Sequence, residues 1–228
     1  MKKSTLLLLA AVLVCGSLSA QDVRPVLKSG AKSLNFTFGG LGTFGISGAG
    51  VSGGLGMSFF TSSDAAFRIG LQAAYNKSTT PYPATDGGAD GTSSTLGLGV
   101  GVDYLMYMNA LTPRVKPYWG LGVQFGMSSS DVKPPISNTA GNGSLTETKN
   151  GNGNEGTTIG VGGILGAEFF LYSELSLSAE YNLNLLSLTS LSDRVVSYKG
   201  NPDATTKRGS QMQILGFGAG SATLHIYF

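Results

Sequence analysis

The chain has 228 residues, of which 35 are glycine and only 12% are charged, against about 7% glycine and about 25% charged residues in an average soluble domain. Its 41% of hydrophobic residues suffices for a core and excludes a disordered polymer, and the glycines do not recur every third residue, which excludes collagen. A formal net charge of +2 gives no footprint for a nucleic-acid partner.

Residues 1–20, MKKSTLLLLAAVLVCGSLSA, place Lys2 and Lys3 before an apolar stretch from Leu6 to Val14 and a small-residue end at Ser17, Ser19 and Ala20. That order predicts a secretory signal peptide over 1–20, cleaved after Ala20, with an apolar stretch too short to span a bilayer. Cys15 is the only cysteine. Val14 stands where a lipoprotein signal carries a small residue, so Cys15 is read as part of the signal rather than as a lipid acceptor. Cleavage removes Lys2 and Lys3 and leaves 13 of the 15 basic residues against 13 acidic ones. The mature chain then has no net charge, no disulfide and no thiol chemistry.

After a tether over 21–32 the chain alternates with a period of two, the mark of strands with two unlike faces. The alternation runs through Leu34–Ile46, Val51–Phe59 and Phe67–Tyr75. Over 94–104, Leu96, Leu98, Val100, Val102 and Tyr104 oppose Thr95, Gly97, Gly99, Gly101 and Asp103. Over 118–127, Trp119, Leu121, Val123, Phe125 and Met127 oppose Tyr118, Gly120, Gly122, Gln124 and Gly126. Ile159–Phe169 follows, then 175–185 with Leu175, Leu177, Ala179, Tyr181, Leu183 and Leu185 on one face, then Met212–Phe228. The phase slips at Gly162–Leu165 and around Leu215–Phe217, where either a bulge restores it or the register shifts by one residue. The total is eight strands.

The connections at Thr61–Asp64, Asn109–Val115 and Tyr172–Glu174 are short. Those at Asn76–Thr92, Ser128–Gly156 and Leu188–Arg208 are long and rich in Gly, Asn, Ser, Thr and Pro; the near low-complexity stretch 138–156 reads as mobile. Short and long connections in alternation describe an up-and-down barrel whose two ends face different compartments, although the connection near Ser47–Gly50 is short where the alternation expects a long one. The fold class is therefore all-β, an eight-stranded antiparallel up-and-down transmembrane β-barrel over 33–228.

Charge decides which face is outside. A soluble barrel turns a charged face to water, whereas the polar face here is Gly, Ser, Thr, Asn and Gln. It suits the packed interior of a narrow barrel, with the apolar face toward lipid. Twelve of the 21 aromatics (Phe59, Phe60, Phe67, Tyr104, Tyr107, Tyr118, Trp119, Phe169, Phe170, Tyr172, Tyr227 and Phe228) fall beside the short turns or at the end of the chain. One ring of that kind marks a membrane interface, and the girdle is assigned to Phe59, Tyr104, Trp119, Phe169 and Tyr172.

The signal, the eight alternating strands and the ending SATLHIYF, with Leu224, Ile226 and Phe228, resemble bacterial outer-membrane β-barrels. The ending SLSAQD of the signal and the Gly-rich strands resemble the small outer-membrane barrel domain of Bacteroidetes-type bacteria, similar in architecture to the OmpA and OmpX barrels. The resemblance implies location in the bacterial outer membrane and contact with outer-membrane lipid. It also implies that Leu224, Ile226 and Phe228 are read by the barrel-assembly machinery. It brings no catalytic motif. The long loops carry mixed charges without a coherent patch and could meet an extracellular ligand that composition does not name.

Four charges fall on the inward face: Arg68, Asp103, Glu168 and Glu180. Centring the hairpin near Ala84–Thr85 puts Arg68 opposite Asp103, and Lys116 shares the inward parity and can serve Glu168. These five are the candidate lumen network, read as a polar plug or, alternatively, as a gate. His225, the single histidine, falls at the barrel rim with Thr223 as its nearest inward hydroxyl, which disfavours a hydrolase. Gly40-Leu-Gly42-Thr-Phe-Gly45 matches a dinucleotide fingerprint but lacks a following helix, and Asp86–Asp90 lacks the alternating ligands of a calcium loop. No catalytic residue, metal or cofactor is expected. The reading is a monomeric, non-enzymatic barrel with a side-chain-filled lumen, serving envelope integrity or surface binding and adhesion. A small pore or transporter, a lipid-modifying membrane enzyme and a secreted lipocalin-type barrel are the alternatives.

Overall fold

The computed structural model describes residues 25–38, 52–82, 88–109, 113–137, 140–153 and 155–228. The expected signal peptide with Cys15, the Gly40–Gly45 stretch, the far end of the first expected strand and the connection at Ser47–Gly50 lie outside them, as do Ala84–Thr85 and Asp86. Eight long strands form the wall: β1 Lys32–Phe38, β2 Ser52–Phe60, β3 Ala65–Thr80, β4 Gly91–Tyr107, β5 Val115–Lys133, β6 Gly156–Tyr172, β7 Leu175–Leu191 and β8 Ser210–Tyr227. Each pairs antiparallel with its neighbours in the chain, and β8 pairs with β1, so the ring closes. Lys32 and Phe228 exchange backbone hydrogen bonds of 3.2 and 3.0 Å at the seam.

The two faces are inverted relative to a water-soluble protein. Val102, Leu121 and Ile159 are 48%, 52% and 50% exposed, while Asn35, Ser176, Thr223 and Glu168 are at most 1% exposed. Cross-strand pairs on the outer face are apolar with apolar: Leu71 with Val100, Val102 with Val123, Val100 with Phe125. From Phe67 to Tyr75 the outward face of β3 climbs about 26 Å at about 3.3 Å per residue. At a tilt of roughly 40° that is about 20 Å of height, close to the apolar band of an outer-membrane barrel.

Inside, large residues face glycines. Tyr118 on β5 lies opposite Gly166 on β6, where an added Cβ would come within 2.5 Å of the tyrosine ring. The glycine excess of β4 to β6 thus makes room for the side chains that fill the lumen.

The alternation and the structure part company at two strands. β6 runs without a slip through Gly162–Leu165; Ile164 is an inward apolar residue, 3% exposed, and needs no bulge. The extra residue is Leu185 on β7, between Asn184 paired with Gly162 and Leu186 paired with Val161. β8 is irregular as the sequence expects, where Tyr181–Leu183 opposes Gly220–Phe217 and Leu215 takes a φ of 54°.

The long connections contain more order than their composition announces. Leu145–Lys149 pairs with Asp131 and Val132 of β5 and with Arg194–Tyr198, which in turn pairs with Ala204–Thr206. Gly88–Ala89 pairs with Ile136–Ser137. Backbone pairing between segments distant in sequence orders these stretches despite their glycines and asparagines.

Replacing Leu98 or Val123 with lysine on the outer face will cost about 2–4 kcal/mol of folding into bilayers, while Gly99→Ser on the inner face will cost less. Folded fraction in lipid vesicles across a denaturant series checks this; equal losses would mean that the faces are reversed.

Candidate functional site: a closed polar lumen

At the end of the barrel carrying the short turns, an apolar stopper closes the lumen. Phe60, Tyr107, Tyr118, Phe170 and Tyr227 form one buried cluster with Ala31, Ala66, Leu105 and Ile164, and Leu27 packs against it from the segment before β1. Ring centroids of Phe60–Tyr107, Tyr107–Tyr118 and Phe170–Tyr227 are 5.4, 5.1 and 5.6 Å apart, within the range of favourable aromatic pairs. This divides the twelve aromatics expected in one ring. Phe59, Tyr104, Trp119 and Tyr172 face outward and are exposed, and Phe169 is half-buried on the same face. The five rings of the stopper point inward. Phe59–Phe60, Tyr118–Trp119 and Phe169–Phe170 are adjacent pairs, and adjacent residues on a strand take opposite faces.

Above the stopper sits a charged network. Arg68 and Asp103 are register partners on β3 and β4, and Arg68 Nε donates to Asp103 Oδ2 at 2.9 Å. Its two terminal nitrogens clasp the Glu180 carboxylate across the lumen, Nη1 to Oε1 and Nη2 to Oε2 at 3.1 Å. Tyr118 Oη donates to the same carboxylate at 2.6 Å. Glu168 is fully buried and accepts from Tyr107 Oη at 3.1 Å and from the hydroxyls of Ser176 and Tyr227. Lys116 does not join them. Although its backbone pairs with that of Glu168, its ammonium donates outward to Asn109 at 3.3 Å, because three hydroxyls already occupy the Glu168 oxygens.

His225 is not a rim residue. It is 2% exposed, with Nε2 2.8 Å from Ser178 Oγ and Nδ1 2.9 Å from Asn35 Oδ1. Asn35 in turn donates to Ser58 Oγ at 2.7 Å, so the chain of bonds ties β7, β8, β1 and β2 across the seam. The hydroxyl, imidazole and amide follow the order of a nucleophile, base and orienter. All three are buried, and neither Ser178 nor His225 lines the lumen cavity described below. Their arrangement holds the seam.

At the loop end Glu155 gathers the long connections. It is 3% exposed and accepts from Ser130 Oγ, from the backbone N–H groups of Asn152 and Gly153 at 2.8 and 3.0 Å, and from Arg208 at 3.2 Å. Burial alone would raise its pKa; the hydrogen bonds from Ser130 and from backbone N–H groups outweigh it and hold the carboxyl below its ordinary value. Leu224, Ile226 and Phe228, which the resemblance marks as an expected assembly signal, lie on the outward face at the end of the chain, with Phe228 66% exposed.

A family model for the outer membrane protein beta-barrel domain matches residues 5–219. Among solved structures, a major outer membrane protein of Thermus thermophilus superposes with a TM-score of 0.53 at 13% identity, covering 87% of this chain and 99% of that one. OprG of Pseudomonas aeruginosa gives 0.46 at 11% identity, with 88% and 97% covered. Ail of Yersinia pestis gives 0.42 at 9% identity, with 88% and 99% covered. No curated protein sequence matches the chain.

Arg68→Met leaves Asp103 and Glu180 without their cation and will cost about 3–5 kcal/mol of stability; Lys116→Met, at the exposed rim, will change it by less than about 1 kcal/mol. Denaturant midpoints in detergent micelles separate the two. For Glu155 the folded pKa lies below the unfolded one, so its contribution is complete at neutral pH and is lost as pH falls from the ordinary glutamate value through the lowered one. Amide protection of Asn152 and Gly153, corrected for intrinsic exchange, will fall across that window, and Glu155→Gln will abolish the dependence.

Proposed function

The chain belongs to the outer membrane protein beta-barrel domain family and is an integral protein of the bacterial outer membrane, and from that premise we propose that it is a non-conducting, non-enzymatic barrel whose role lies at its surfaces. The observation that carries this reading is the filled lumen: an aromatic stopper beneath a clasp of Arg68, Asp103 and Glu180, with a cavity of about 40 Å³ above it among the described residues. A packed interior of this kind transmits no solute and stabilises the wall. The short turns are assigned to the periplasm and the long connections to the exterior. There the strands Leu145–Lys149, Arg194–Tyr198 and Ala204–Thr206 continue the edge of β5 and offer a backbone-ordered platform for envelope or surface contacts. Phe59, Tyr104, Trp119, Phe169 and Tyr172 would anchor the periplasmic interface as amphipathic rings do.

Protein refolded into a planar bilayer will show no discrete channels. Reproducible unitary conductance from the wild type would overturn this reading in favour of a pore.

A further inference from the structure

The outward face of the barrel is unevenly clad. Across β1 to β4 one register row runs Phe38, Gly53, Ala73 and Leu98, and the next runs Phe36, Leu55, Leu71 and Val100. The first row carries a bulky side chain only at its two ends, so the wall is notched between them. A recess of about 640 Å³ occupies the notch, walled by Phe38, Leu55, Leu71, Ala73 and Leu98. Its volume lies within the range of ligand pockets, about 300–1,000 Å³, and no charged residue lines it. Phe38, Leu55 and Leu71 are 61%, 55% and 60% exposed, so the recess opens outward.

The recess lies within the apolar band, where its surroundings are hydrocarbon. An unfilled hollow there forfeits dispersion contacts, and water finds few polar partners in it. A lipid chain fills it at no such cost. The charge above the recess selects the lipid. Lys77 keeps the outward parity of Ala73 and Tyr75 on β3 and is exposed. Among the described residues it enters no ion pair. Asp131, the outward acid on its register row, stands beyond Ser94 on β5, about 10 Å away at the usual strand spacing. From Ala73 to Lys77 the strand advances about 13 Å, or about 10 Å of height at a tilt of roughly 40°. One leaflet contributes about 15 Å of hydrocarbon, so a chain whose headgroup meets Lys77 is long enough to fill the recess.

We propose that the recess holds one acyl chain of an anionic lipid whose phosphate pairs with the Lys77 ammonium. The site lies in the leaflet beside the long connections, and it stands whether or not the lumen conducts.

The test reads tryptophan quenching by brominated lipids. Trp119→Phe removes the chain's single tryptophan, and Phe38→Trp then puts the only indole at the recess. This protein is folded into phosphatidylcholine vesicles in which a small share of the lipid is brominated phosphatidylglycerol or brominated phosphatidylcholine. The anionic lipid will quench the indole at position 38 with about a fivefold preference, the size of one lysine contact with anionic lipid. The wild-type indole at Trp119, at the opposite end of the wall, will be quenched alike by both. Lys77→Gln will abolish the preference at position 38. Ala73→Phe, which fills the recess from the lipid-facing side, will bring the anionic lipid's quenching down toward that of the zwitterionic one. Equal quenching at position 38 by the two lipids would overturn the site, and so would a preference unchanged by either substitution. Shielding of that indole from both lipids would mean that protein covers the recess, and would likewise overturn it.

Discussion

Hydrocarbon offers no partner for a backbone N–H or C=O group, and the rest of this structure depends on that one constraint. A sheet meets it only by closing on itself, which here happens between Lys32–Phe38 and Ser210–Tyr227. Closure with eight strands fixes a narrow interior, and the alternation of strand side chains then assigns every second residue to lipid and every second residue to that interior. Large and charged groups inside have to share a small space. Glycines opposite Tyr118 and Asp103 supply it, and hydrogen bonds along the wall and across the lumen partner Arg68, Glu168 and Glu180 within it. Low overall charge and abundant glycine are two results of the same geometry.

The interior is layered along the barrel axis. Aromatic rings close the end that carries the short turns, Arg68 clasps two carboxylates above them, and serine, asparagine and histidine bridge the seam at His225. Each layer draws on strands far apart in sequence: Arg68 and Glu180 belong to the third and seventh strands, and Asn35 and His225 to the first and last. The layers therefore lock strand order and register. Glu155 does for the outer connections what Arg68 does for the lumen, since one buried acceptor holds Ser130, Asn152, Gly153 and Arg208 together.

Much of this was legible in the sequence wherever period two was unbroken. Leu96 to Tyr104 and Trp119 to Met127 display their faces directly, and the hairpin centre near Ala84–Thr85 places Arg68 opposite Asp103. Parity failed where composition and face disagree. Ile164 is apolar yet inward, so it mimics a slip that the backbone does not make, and Leu185 is an extra residue whose apolar side chain conceals the real one. The aromatic pairs beside the turns resemble one ring when only position along the strand is considered; parity separates them into two sets. Partners three or more strands away, such as Glu180 for Arg68, depend on the curvature of the ring, and no local pattern encodes that. The same holds for Glu155 and Arg208, which composition places in mobile loops.

The central claim is that Arg68, Asp103 and Glu180 form one mutually dependent interior unit rather than three independent polar residues. Stability in micelles, compared among Arg68→Met, the doubly neutralised Asp103→Asn/Glu180→Gln and the combined triple variant, tests it directly. Coupled groups give non-additive losses, so the triple variant is predicted to be more stable than Arg68→Met alone, because no carboxylate is left stranded. A triple variant whose loss equals the sum of the other two would contradict the account.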